Sequence, residues 1–346
     1  VMVVALACNS VSPFARGQSF SLQELGGELA SDASPIRIYT ALDIITMDRN
    51  KPRAEAVAVQ DGKFVAVGSF EEVLRAAGDD PILDSSFAAK VVVAGFVEQH
   101  VHPVLAALTM NTHVISIEDW DAIDGFSPAV REEQAYQDRL AEALKQHKPA
   151  SGPFISWGYH HYFHGEMSRE LLDHLAPDFP VIIWHRSCHE FFLNTPALAL
   201  AGIDDSLIDG MTESQKEQSS LERGHFYEQG ALAILSKLAP LLASPEQFKR
   251  GLEFTEDYYH RTGITTACEP GGFYSKPMQE AINAVYSDEA TPFNHLFIAD
   301  GKSFAALHPN DPAAMISETE GVNSWGKGRT AFLPKQVKLL CDGAIY

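Results

Sequence analysis

Gly95–Pro103 reads GFVEQHVHP, an apolar run that carries two histidines two positions apart and stops at a proline. On a strand, His100 and His102 emerge on one face with their rings adjacent, because successive side chains alternate. On a helix the same spacing would turn them about 200° apart. Pro103 cannot donate to a ladder, so it ends the strand directly after the pair. Two neutral imidazoles on a rigid strand end make half of a site for Zn²⁺ or a similar divalent ion. A two-residue motif is cheap by chance, however, and two satisfied polar residues on a strand would look the same.

Working outward toward the N-terminus, IRIYTALDIITMD (36–48), AEAVAVQDGKFVAVG (54–68) and the apolar run Lys90–Val93 alternate in the strand manner. Asp61 and Gly62 supply a hairpin turn between two of them, so residues 36–93 read as a small β unit. Toward the C-terminus, short buried-strand candidates alternate with longer helical stretches. The strands are GFVEQHVH, PFISWGYH, PVIIWHRSCH, GITTACEP, NHLFIAD and QVKLLCDG; the helices include Glu132–Gln146, Ser168–Leu175, Pro196–Ala201 and Pro245–Arg261, with Thr195 as the cap of the third. Such alternation predicts an α/β fold in which βα units surround a parallel sheet, and residues 94–346 read as the first part of a (β/α) barrel. The glycine-rich phosphate fingerprint of a nucleotide-binding open sheet is missing after the first strand.

The 26 Lys and Arg against 46 Asp and Glu give a formal charge of −20. That charge repels nucleic acid and anionic lipid, which excludes both as partners and leaves a small molecule as the expected one. Cys8, Cys188, Cys268 and Cys341 form no CxxC pair, so cysteine does not carry the chemistry. The opening VMVVALAC resembles the end of a secretory leader, although no basic segment precedes it. Residues 1–35 are read as leader and linker, with export and a cytoplasmic location both open. No run of about 18 apolar residues is present to span a membrane.

The segments at 36–48, 54–68 and 91–103 together resemble the amidohydrolase superfamily. SWGYH, LLDHLAPDFPVIIWHRSCHEFFLNTPALALAGI, GHFYEQGAL and HRTGITTACEP follow in the order of its amidohydrolase-3, or YtcJ-like, family. That resemblance implies a metal-dependent hydrolase with a (β/α)8 TIM-like barrel, incomplete here, behind a small N-terminal β-sandwich unit. It implies one or two divalent ions, Zn²⁺ being expected, held by His100, His102 and Lys338. Lys338 lies in QVKLLCDGAIY, where a bare ammonium would repel the ion and carboxylation would make it an anionic oxygen donor. A snorkelling lysine at a strand start is the plainer reading of the same residue. His189 in RSCHEFFLN is expected to touch substrate, and Glu228 and Glu269 are weaker candidates for the same role. His160, His161 and His164 look metal-like by count, but the segment runs into a loop without a matching partner motif, so surface or lid placement is expected. Where the family has an aspartate two positions before the first histidine, this chain has Glu98, whose longer side chain can make the same polar contact.

The implied reaction is hydrolysis of a non-peptide C–N bond, of amide or N-substituted formamide type, by a metal-activated water. The family's two further histidines and its general-base aspartate are expected beyond Tyr346, so the chain reads as a fragment that is inactive by itself. Two alternatives stay open: a binding module that keeps the fold without catalysis, and a deaminase or phosphoesterase on the same scaffold. A homo-oligomer is compatible with all of them.

Overall fold

The computed structural model describes residues 34–272, 275–308 and 310–339. The expected leader up to residue 33, Cys8, Cys341 and Asp342 lie outside the described residues. Strands β1 (Arg37–Ile45), β2 (Arg53–Gln60), β3 (Lys63–Gly68) and β4 (Ile82–Val93) form a four-stranded sheet in the order β3-β2-β1-β4. Asp61 and Gly62 turn β2 into β3 with φ of 49° and 72°, the left-handed pair that suits the twist of a two-residue hairpin. One face of the sheet is covered by a helix, Phe70–Ala77, whose Val73 and Ala77 pack on Ile38, Ala56 and Ala58. Ser69 and Glu72 start that helix as a reciprocal capping box. The expected sandwich is thus a single sheet backed by a helix among the described residues. β4 also begins eight residues before the run Lys90–Val93; its first half is largely exposed and, interrupted by Asp84, Ser85 and Ser86, shows no regular alternation.

β5 (Phe96–Glu98) opens a second sheet. It pairs in parallel with β14 (Ile264–Pro270), which pairs in parallel with β15 (Asn294–Asp300) and that with β16 (Thr330–Lys338). Helices Lys276–Tyr286, Gly301–Leu307 and Pro312–Gly321 make the crossovers, as parallel neighbours require. A core of Tyr259, Ala267, Ile282, Tyr286, Phe293, Phe297 and Phe332 joins these helices and Pro245–Thr262 to the sheet.

Between β5 and β14 the chain builds a separate body. β6 (His113–Val114), β9 (Phe154–Tyr159), β10 (Val181–His185), β11 (Glu190–Leu193), β12 (Ser219–Ser220) and β13 (His225–Tyr227) form a six-stranded mixed sheet in the order β12-β13-β11-β10-β9-β6. A two-stranded hairpin, β7 (Trp120–Ala122) with β8 (Gly125–Ser127), stands beside it. PFISWGYH and PVIIWHRSCH therefore do not continue the parallel sheet begun by GFVEQHVH, as their alternation with helices predicted. Both are buried on two faces, and a doubly buried strand reads the same whichever sheet receives it. Thr195 is likewise not the cap of its helix. Asn194 is, with its Oδ1 accepting from Ala197 N at 3.0 Å, which places Thr195 and Pro196 in the first turn of Thr195–Ala201.

Candidate active site

The His-x-His pair stands where β5 ends. Val101 N donates to Cys268 O at 3.1 Å, so the ladder between β5 and β14 runs on through the motif and fixes its backbone. The two rings lie edge to face with centroids 5.2 Å apart. β5 ends at Glu98, before the pair rather than after it, so His100 and His102 lie on the connection into the helix Pro103–Thr109, with His102 at its cap position. Glu98 Oε1 accepts from the backbone N–H of His100 at 2.9 Å.

Neighbouring strands bring the remaining groups. Glu269, near the end of β14 and 1% exposed, accepts from His102 Nδ1 at 3.2 Å. With the proton on Nδ1, the Nε2 lone pair of His102 is presented outward, which is the form a metal-ligating histidine takes above a carboxylate. Lys338 ends β16 in register with Asp300 on β15. It packs against Gly271, directly after β14, so closely that a Cβ there would lie 2.6 Å from the lysine Cγ. Burial, then the neighbouring His102 and Lys338, hold the His100 imidazole below its ordinary pKa despite the opposing pull of Glu98. His100 is thereby neutral, as a ligand must be. The donor chemistry of the two histidines, the tautomer that Glu269 favours in His102 and the lowered pKa of His100 fit a divalent ion.

His189 and Glu228 belong to the other sheet. They meet each other: His189 Nδ1 donates to Glu228 Oε2 at 3.1 Å, and Glu228 N donates to His189 O at 2.9 Å across the ends of β11 and β13. Glu228 takes a left-handed φ of 44° to do so, an uncommon conformation for a residue with a side chain.

The family model for the amidohydrolase family matches residues 89–345, and that of a bacterial imidazolonepropionase-like composite domain matches residues 56–79. The chain belongs to the amidohydrolase family. An N-substituted formamide deformylase of Arthrobacter pascens is 32% identical over 169 residues, covering 46% of this chain and 28% of that protein. A putative amidohydrolase, YtcJ, of Bacillus subtilis is 26% identical over 179 residues, covering 48% and 30%. Among solved structures, an uncharacterized metal-dependent hydrolase of Pyrococcus horikoshii superposes with a TM-score of 0.54 at 12% identity, over 79% of this chain and 50% of that one. The chain thus spans half or less of the length of these three relatives.

This amidohydrolase carries a second concentration of histidines that the sequence disperses. His160 follows β9 and His185 ends β10, so two adjacent parallel strands deliver both rings to one edge, where His161 joins them. His160 and His185 are buried and His161 is exposed, so of His160, His161 and His164, expected at the surface, only His161 is there. His164 is buried and fully engaged, donating from Nε2 to Val130 O at 2.8 Å and accepting at Nδ1 from His160 N at 3.0 Å. His185 had no signal in the sequence beyond its place at a strand end. Beside the cluster is a cavity of 560 Å³ lined by His161, Glu190, Arg223, His225 and Tyr227 among others. Within it His225 Nε2 donates to Glu190 Oε2 at 3.1 Å. No helix among the described residues is long and apolar enough to cross a membrane.

Proposed function

We propose that the protein hydrolyses a non-peptide C–N bond of a small molecule, of the N-substituted formamide or amide type, at a divalent-metal centre built on His100 and His102. The reading rests above all on the Glu269–His102 contact, which leaves Nε2 of His102 free for ligation beside a neutral His100. Lys338 is the third candidate ligand, as a carboxylated side chain, with Zn²⁺ the expected ion. When bound, the ion would supply polarisation of the scissile carbonyl and a water of lowered pKa. The chain's own residues do the positioning. Glu269 holds the tautomer of His102, Glu98 ties down the His100 backbone, and the packing of Lys338 on Gly271 sets the lysine's approach. The formamide class is favoured because the Arthrobacter pascens relative bears that name and is 32% identical. His189 and Glu228 remain candidates for substrate contact as a hydrogen-bonded pair.

The test is a panel of N-substituted formamides, amides, aminopurines and phosphoesters offered to the complete protein, with and without chelation. Release of formate or of a carboxylic acid, abolished by the chelator and reduced at least about 1,000-fold by His100→Ala, is the expected result. Turnover confined to aminopurines or phosphoesters, or undiminished in His100→Ala, would overturn the proposal.

A further inference from the structure

We propose that His160, His161 and His185 form a second divalent transition-metal site, separate from the His100–His102 pair and facing the cavity of the six-stranded sheet. One donor atom from each ring lies within 4.8 Å of the others. The ring centroids are 5.3 Å apart for His160 and His161, 5.5 Å for His160 and His185, and 5.8 Å for His161 and His185. Tetrahedral ligation at metal–nitrogen distances of about 2.0–2.1 Å puts imidazole centres about 5.2 Å apart and ligating nitrogens about 3.4 Å apart. The centroid spacing is therefore close to that of a loaded site. The remaining contraction falls to His161, which is exposed and has room to change rotamer.

A second observation points to a ligand. His185 is 1% exposed, yet its Nε2 has no hydrogen-bond partner. Burying a ring nitrogen without a partner is unfavourable, and native proteins seldom leave one so. Its Nδ1 is 2.8 Å from Ser187 Oγ and accepts the Ser187 N–H at 3.1 Å, so presenting Nε2 as a lone pair requires the ring proton to pass to Nδ1, with Ser187 Oγ accepting from it and the backbone bond given up.

The surrounding charge also suits a cation. Arg186, the nearest guanidinium in sequence, is engaged by Glu118 at 2.6 Å. Glu190, whose electrostatic influence reaches both His185 and His161, supplies a carboxylate outside the three ligands. An all-imidazole donor set favours Zn²⁺, Co²⁺, Ni²⁺ or Cu²⁺ over Mg²⁺ or Ca²⁺. Three protein ligands leave a fourth position, which His161 places toward the cavity it lines. Two contacts oppose the site: His185 Nδ1 accepts the Ser187 N–H at 3.1 Å, and His160 Nδ1 accepts the Tyr162 N–H at 3.2 Å. Ligation through Nε2 moves each ring proton to Nδ1, so both bonds must be given up, the second by the first turn of His161–His164.

The experiment uses the complete protein carrying His100→Ala and His102→Ala, stripped of metal and titrated with Zn²⁺ and, for its visible d–d spectrum, with Co²⁺. About one equivalent should bind with the spectrum of a tetrahedral nitrogen site, and adding His161→Ala or His185→Ala should weaken it roughly 100-fold. His161 is exposed, so its variant tests the site even where the loss of His185 disturbs folding. Failure of the doubly substituted protein, folded by circular dichroism, to bind an equivalent would overturn the inference. So would binding that His161→Ala leaves unchanged. The His100/His102 background keeps this result independent of the fate of the proposed hydrolytic centre.

Discussion

At the scale of single residues, the arrangement around His102 makes Glu269 a positioning residue. Its carboxylate lies on Nδ1 of His102 and is 1% exposed, so water does not screen the contact. Glu269→Gln keeps the shape and removes the charge; the amide can still accept from Nδ1, but it no longer raises the basicity of Nε2. Metal affinity of the His100–His102 centre should fall about 10–100-fold, with the far-UV spectrum unchanged, in a chelator-competition titration. Gly271 makes a second test. Its φ of +74° is a left-handed conformation, and a Cβ there would lie 2.6 Å from Lys338 Cγ and 2.7 Å from its Cβ. Gly271→Ala should cost about 1–3 kcal/mol of stability, read from denaturant midpoints, and should displace Lys338 as well. A drop in metal occupancy beyond that of an equally destabilised core variant would show the second effect. Neither role was legible in the sequence, since Glu269 was one acidic strand end among several, and nothing local says that Gly271 faces a residue 67 positions later.

At the scale of elements, Asn194 ties three pieces of the six-stranded body together. Its Oδ1 accepts from Ala197 N at 3.0 Å and from Val181 N at 2.9 Å, while its Nδ2 donates to Ala176 O and Phe179 O, each at 2.9 Å. The side chain caps Thr195–Ala201, anchors the start of β10 and pins the loop before it, all at 0% exposure. Asn194→Ala would strand buried donors and acceptors on every side, and should lower unfolding free energy by about 2–4 kcal/mol in urea titration. The local signals for this region were sound as far as they reached. The Asp61-Gly62 hairpin, β15 over NHLFIAD and the helix starting at Pro245 are set by residues adjacent in sequence, and the structure has them where those residues say. Sheet membership is different. β9 and β10 have the doubly buried pattern of barrel strands, and what fixes them in another sheet includes the antiparallel pairing of β13 on β11, as between Phe191 and Phe226, which no window of ten residues contains. The three-histidine cluster was hidden for the same reason, because His185 meets His160 only once β9 and β10 lie side by side.

At the scale of the whole molecule, β5 and β16 are the outer strands of the parallel sheet among the described residues, and both carry apolar side chains to the surface: Phe96 is 53% exposed, Val97 60% and Val337 47%. Open apolar edges pair with whatever strand they meet. The 346 residues produced by themselves should therefore associate, and Val97→Lys should raise the monomer fraction seen by light scattering. The stability of the assembled core has its own pH signature, and His295 sets it. The ring sits at 0% exposure among Tyr259, Tyr286, Phe293 and Phe297, with neither nitrogen hydrogen-bonded. Burial lowers its pKa from 6.5 to about 3. The folded state thus keeps the ring neutral while the unfolded chain takes up a proton as the pH falls below 6.5. Stability is fully present above that value, declines with falling pH, and stops declining on this account only near pH 3, where the folded ring itself protonates. Between about pH 7 and pH 5 this one residue should remove about 2 kcal/mol. His295→Phe fits the same aromatic enclosure and cannot take up the proton. Urea unfolding across that interval should show the variant's stability falling less steeply than the wild type's by close to one proton, and parallel slopes would mean that the ring is already solvated in the native protein.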